Sequence, residues 1–282
     1  VDVKGEVQVN FPRVMERMRE IRAEISNFEA AERLSKLGID VFIGKAVFDT
    51  PNSVVIGDRR IQFKKCIICS GGSAYVPLFP GLKDVSYLTN ETLFNLTSLP
   101  ESMIVLGSGP IGSEMTQCFA RFGCKVTVID RNDVIMQKED PDAALLVEKS
   151  MISDGVEFIH KASVINIAYQ SKDKTMIQVK IEVKLKDGGI ENRTLVAASL
   201  FIATGRRPRV LNMGLDIAGV EYDEVKGIAV NDNMRTTCKH IFAAGDCCSR
   251  YQFTHMADWM ARICIKNALF FGSDKKHLLV DS

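Results

Sequence analysis

Apolar positions first recur at helical spacing in residues 13–37, where Val14, Met18, Ile21, Ile25 and Phe28 lie three or four residues apart while Arg and Glu fill the other face. The pattern predicts one amphipathic helix, ended by Gly38 and packed on its own domain, since its two heptads fall short of the roughly three or four that a coiled coil needs. Short β-rich pieces follow at 41–43, 46–48, 53–56 and 60–63, separated by Thr50-Pro51-Asn52 and Gly57-Asp58. They predict a small antiparallel unit leading into a buried strand at 66–70. From Met103 the rhythm becomes strand (103–106), glycine turn (107–112), helix (to 122) and strand (125–129), the opening of a parallel, doubly wound sheet. A helix at 142–153 starts behind Asp140-Pro141, and alternating strands at 162–169, 176–185 and 194–201 form an antiparallel meander.

Length and composition narrow the class. The 282 residues make two domains at about 150 residues each. With 46% apolar and 25% charged residues the chain reads as an ordinary globular protein, and no apolar run approaches the roughly 18 residues of a membrane span. Thirty-six basic against 35 acidic residues leave +1, so no field gathers a polyanion and no nucleic-acid partner is expected. Eight cysteines are too few for a disulfide scaffold and suit a reducing, intracellular setting, cytoplasm or organelle matrix. No targeting segment is legible, and the start at Val1 rather than methionine leads us to expect missing chain upstream. His160, His240 and His277 lack partners at ligand spacing, so no metal site is expected.

The strongest chemical signal is Gly107-Ser108-Gly109-Pro110-Ile111-Gly112, which follows an apolar strand, opens a helix and precedes Asp130 at the end of the next strand. Gly107 permits the tight turn, Gly109 lets backbone amides approach a pyrophosphate, and Gly112 lets helix and strand pack closely. Pro110 suits a first helical turn, where no amide donor is needed. Asp130 would accept the ribose hydroxyls of NAD(H). Arg131 beside it could instead pair with the extra phosphate of NADP(H), so both nucleotides stay open.

Three further strands end in small, glycine-bearing turns: the first at Ser70-Gly71-Gly72, the second at Thr204-Gly205-Arg206-Arg207-Pro208, and the third at Ala244-Gly245-Asp246, followed by Phe253-Thr254-His255. In this order the motifs resemble the pyridine nucleotide-disulfide oxidoreductases, the flavoprotein family of lipoamide dehydrogenase, glutathione reductase and mercuric reductase. Gly109-Pro110-Ile111-Gly112-Ser113-Glu114 and Phe253-Thr254-His255 look most like its mercuric-reductase-like members. The resemblance implies an α/β fold of two interleaved Rossmann-like domains with an antiparallel meander. Residues 1–98 would be a partial FAD-binding domain, 99–207 the NAD(P)-binding domain, 208–270 the return of the FAD-binding domain, and 271–282 the start of an interface domain.

It also implies roles. FAD and NAD(H), with NADP(H) as the variant, would be the cofactors, and Ser70, Gly71, Thr204, Gly205, Gly245 and Asp246 would belong to the cofactor sites. Asp246 would meet the ribityl or phosphate region of FAD. Thr254 and His255 would lie at a helix N-terminus beneath the flavin, where the positive helix end favours an anionic reduced ring. Glu114 would be the catalytic-site acid, paired with a lysine of the family's redox segment. The acceptor would be a disulfide, a metal ion or another small molecule, and the parent a homodimer.

The departures matter as much. The family's opening GxGxxG, its CxxxxC disulfide and its closing interface domain are absent from these 282 residues. Cys66 and Cys69 lie three apart on a strand, on opposite faces, and are expected to be buried and inert. Cys247-Cys248 resembles the vicinal pair of mercuric reductases but stands elsewhere in the chain. The expectation is therefore a flavin-dependent NAD(P)H oxidoreductase represented by a piece without its redox disulfide. Its rivals are a catalytically inactive nucleotide-binding or structural subunit, and a flavin reductase that uses no disulfide.

Overall fold

The structure, a computed structural model, describes residues 8–249 and 251–270; the expected interface-domain start at 271–282 lies outside the described residues, as does His277. Helices α1 (Phe11–Glu29) and α2 (Ala31–Lys36) precede strands β1 (Ala46–Thr50), β2 (Ser53–Ile56), β3 (Arg59–Gln62), β4 (Cys66–Ile68) and β5 (Gly72–Ala74). Then come β6 (Ser102–Leu106), α3 (Pro110–Arg121), β7 (Lys125–Ile129), α4 (Pro141–Ser153), β8 (Glu157–Ile159), β9 (Ala162–Tyr169), β10 (Ile177–Lys184), β11 (Ile190–Ala197) and β12 (Ser199–Ile202). The chain continues through β13 (Arg206–Pro208), β14 (Tyr222–Asp223), β15 (Gly227–Ile228), β16 (Ile241–Ala243) and α5 (Thr254–Leu269).

Contacts divide the chain into two compact units, each discontinuous in sequence: residues up to Glu29 with Ala74–Gly205, and Ala30–Ser73 with the residues from Arg206 onward. The first unit is built on a parallel sheet of order β12-β6-β7-β8. Met103, Ile104, Val105 and Leu106 of its central strand are all at most 2% exposed, as expected of a strand covered on both faces. A three-stranded antiparallel meander of order β11-β10-β9 completes the unit, with Val179 and Ile181 of its middle strand fully buried.

Two expectations are corrected in this unit. The continuous strand expected at 194–201 is two strands: β11 closes the meander, and β12 runs parallel to β6. The change of partner falls at Ala198, whose amide donates to Ser102 Oγ at 3.0 Å. The helix expected over 13–37 is interrupted at Ala30, whose backbone is extended (φ −64°, ψ 137°). The face of α1 that packs is also not the one the periodicity selected. Phe11 and Met15 are buried, and the Phe11 ring centroid lies 5.7 Å from those of both Phe119 and Phe122. Ile25 and Phe28 of the expected apolar stripe stay exposed.

In the second unit, β1, β2 and β3 form an antiparallel sheet, and β4 lies parallel to β16. Residues 41–43, expected as a strand, carry no regular structure. All three residues of β16 are fully buried, packed with Ile68, Val210 and Leu215 on one side and with Met260 and Cys264 of α5 on the other. Gly38, with φ +80°, closes α2 as expected, helped by the Ile39 amide bonding the Leu34 carbonyl.

Candidate nucleotide-binding site

In the first unit the glycine turn joins β6 to α3, and steric space explains each glycine. A Cβ on Gly107, whose φ is +98°, would lie 2.6 Å from the Ala203 carbonyl oxygen. One on Gly112 would lie 2.2 Å from the Gly107 carbonyl oxygen, so only hydrogen fits between turn and helix. Gly109 is the opposite case. Nothing lies within 4 Å of its would-be Cβ, and its φ of −66° is ordinary, so its missing side chain leaves open space at the mouth of the turn. Helix α3 starts there with Gly109 as N-cap, Pro110 in its first turn and no side-chain cap. The amides of Ile111 and Gly112 thus belong to an uncapped helix end, where an anion is favoured by both the donors and the helix dipole.

Asp130 stands beside this turn, 8% exposed, and all its accepting positions are in use. Its Oδ2 accepts from the Ser108 amide at 2.7 Å and the Ser108 hydroxyl at 2.5 Å. Its Oδ1 accepts from the Asn132 amide and the Asn132 side-chain nitrogen, both at 2.9 Å. Ser108, 2% exposed, also accepts at its carbonyl from the Met136 amide and the Ser113 hydroxyl, both at 3.0 Å. The turn is therefore tied to the loop after β7 through one carboxylate. The sequence places Ser108 in the cofactor-binding turn without a role for its side chain, and it assigns Asn132 none. The signal for Asn132 was its place two residues after the acid, the spacing at which an Asp side chain accepts from the backbone.

Arg131 and Glu114 are both exposed. Among the described residues no hydrogen bond or ion pair engages the Glu114 carboxylate. Thr204 and Gly205 end β12 in the same unit: the Thr204 hydroxyl donates to the Tyr75 carbonyl at 2.7 Å, and the Gly205 carbonyl accepts from the Tyr75 amide at 2.9 Å.

In the second unit, the turns after β4 and β16 meet the start of β13. The Ser70 hydroxyl donates to the Arg209 carbonyl at 2.7 Å, and the Arg209 amide to the Gly71 carbonyl at 2.9 Å. Gly245 has φ +82°, and a Cβ there would press on Ala257 of α5 at 3.2 Å. Arg206 was not singled out from sequence, yet it lies at the centre of this cluster. One of its terminal nitrogens donates to Asp246 Oδ2 and to the Gly72 carbonyl, each at 3.1 Å, with both side chains mostly buried. Helix α5 begins at Thr254 with no side-chain cap, and Thr254 and His255 are exposed at its first turn. The His255 ring stacks on Phe253, with centroids 5.5 Å apart and planes 8° apart.

The eight cysteines are all free. Cys69 is exposed rather than buried; Cys66 is half-buried, and burial pushes its thiol up to about 11. The Cys247 thiol donates to the Ala244 carbonyl at 3.2 Å and the Ile68 carbonyl at 3.4 Å, and the Cys248 thiol to the Gly245 carbonyl at 3.4 Å. Among the described residues no group of three His, Cys, Asp or Glu side chains is arranged to hold a metal ion. No helix among them is long and apolar enough to cross a membrane.

Comparison with known proteins agrees with this architecture. A mercuric reductase of Bacillus cereus is 28% identical over 272 residues, 96% of this chain and 42% of the relative. A dihydrolipoyl dehydrogenase of Acholeplasma laidlawii is 28% identical over 279 residues, covering 98% of this chain and 78% of the relative. The HOCl-induced flavoprotein disulfide reductase RclA from Escherichia coli superposes with a TM-score of 0.86 at 27% identity, covering 96% of this chain and 60% of that one. The chain thus spans about two fifths of the length of the mercuric reductase it matches, and it has the mixed α/β fold of a flavoprotein disulfide reductase. The profile described as pyridine nucleotide-disulphide oxidoreductase matches residues 6–261, and the chain belongs to that family.

Proposed function

We propose that the whole protein is a FAD-dependent NAD(P)H oxidoreductase of mercuric-reductase-like type, delivering electrons to a disulfide or a metal ion, and that this chain supplies its nicotinamide-nucleotide site and part of its flavin site. The observation that carries the reading is the glycine turn: two glycines are sterically obligatory, and the third opens space before an uncapped helix end. In this reading the amides at the start of α3 bind the pyrophosphate of the nicotinamide nucleotide, and Asp130 or Arg131 decides how its adenosine ribose is held. In the second unit the residues present also fit a dinucleotide. Asp246, held by Arg206, offers its carboxylate to a sugar hydroxyl. The positive end of α5, with Thr254 and His255, favours an electron-rich ring. Held there by Asp246 and the start of α5, a flavin would supply the hydride-accepting and electron-carrying chemistry of the reaction. Glu114, exposed on α3, is free to pair with a lysine of the longer protein.

The test is spectroscopic and uses the natural full-length protein. Addition of NADH or NADPH bleaches the flavin absorbance, and a thiol-blocking reagent added to the reduced protein abolishes transfer to the acceptor. Bleaching without thiol sensitivity assigns a flavin reductase that needs no disulfide. A natural protein that carries no flavin overturns the reading in favour of a nucleotide-binding or structural subunit.

A further inference from the structure

The buried cluster of Ser108, Asp130 and Asn132 poses a competition. A ribose that is to be held by Asp130 must donate hydroxyl protons to it, yet a carboxylate oxygen has two lone pairs and each Asp130 oxygen already accepts two donors. Two of the four donors are backbone amides, fixed by the fold. The other two, the Ser108 hydroxyl and the Asn132 side-chain amide, are rotatable groups occupying the remaining lone pairs. Ser108 is 2% exposed, so a hydroxyl displaced from Asp130 loses its partner without meeting water.

We infer that Ser108 and Asn132 are specificity-determining residues: by capping Asp130 they weaken its hold on the ribose of NADH and so narrow the preference for NADH over NADPH. The inference rests on the dinucleotide reading of the glycine turn. The two nucleotides respond differently because NADH offers two adjacent ribose hydroxyls, whereas the 2′-hydroxyl of NADPH is phosphorylated and has no proton to give. An uncapped Asp130 also repels that phosphate more strongly.

The experiment measures dissociation constants of NADH and NADPH for the chain by calorimetry, in wild type, Ser108→Ala and Asn132→Ala. Replacing Ser108 leaves a lone pair of Oδ2 for the ribose, which then displaces at most a water. Affinity for NADH should rise about three- to tenfold, the order of one hydrogen bond to a charged acceptor net of that exchange. Affinity for NADPH should stay the same or fall, so the ratio moves. Asn132→Ala should move it the same way through Oδ1, and it decides the matter alone if circular dichroism shows that Ser108→Ala does not fold. A wild type that binds nucleotide with an unchanged NADH-to-NADPH ratio in the folded variants overturns the inference and leaves the dinucleotide reading standing. A wild type that binds neither nucleotide overturns that reading and the inference with it.

Discussion

Two glycines three residues apart do different work, and the difference is measurable. Gly112 is excluded from bearing a side chain by the Gly107 carbonyl at 2.2 Å, backbone that cannot yield without moving α3. Gly112→Ala should therefore lower stability and nucleotide affinity together. Gly109 has room for a methyl group in the free protein, so Gly109→Ala should leave the unfolding free energy within about 0.5 kcal/mol of wild type. Its methyl group would stand where backbone amides and phosphate must approach, and NADH affinity should fall at least about tenfold, the penalty of one lost charge-assisted contact. Titration and urea unfolding on the same two variants separate the effects; a Gly109→Ala protein that binds NADH as wild type does would remove the phosphate from this turn. The motif itself was plain in the sequence, because strand, turn, helix and acid follow at fixed spacing. The Asp130 cluster was only half legible. Spacing picks out the acid and carries a local signal for Asn132, but not the Ser108 donors, since their arrangement depends on how the loop after β7 folds back on the turn.

At the scale of elements, periodicity located helices better than it oriented them. In α1 the residues Val14, Met18, Ile21, Ile25 and Phe28 form the longest apolar row, yet the row formed by Phe11, Met15 and Met18 is the one that packs, because Phe119 and Phe122 offer it aromatic faces. Phe11→Ala should destabilise the first unit by about 3 kcal/mol, as for other buried Phe truncations. Ile25→Ala, at a residue 52% exposed, should cost about 0.5 kcal/mol or less. Urea midpoints read by circular dichroism distinguish the two faces, and equal losses would contradict the observed packing. The division of residues 194–201 between two sheets has the same origin. A run of strand-forming residues does not say which neighbour each half will pair with, and the bond from Ala198 to Ser102 decides it.

At the scale of the molecule, a nucleotide that binds only the folded chain must stabilise it. NADH at a hundred times its dissociation constant should add about 2.7 kcal/mol to the unfolding free energy of the first unit. A thermal melt with and without NADH tests this, and a transition that does not move would speak against the site in this chain. What the sequence alone determined is whatever local sterics and short spacing dictate: the glycine turn before α3, its acid 23 residues on, the closing glycines and the order of motifs that marks the family. Tertiary structure decided which face of α1 is covered, where one strand ends and another begins, that Arg206 holds Asp246, and that Asp130 has no lone pair to spare. The physical reason is common to all four. Each depends at least in part on a partner distant in sequence, Ser108 in the case of Asp130, and a buried group takes whichever partner the folded chain brings within hydrogen-bond or van der Waals reach.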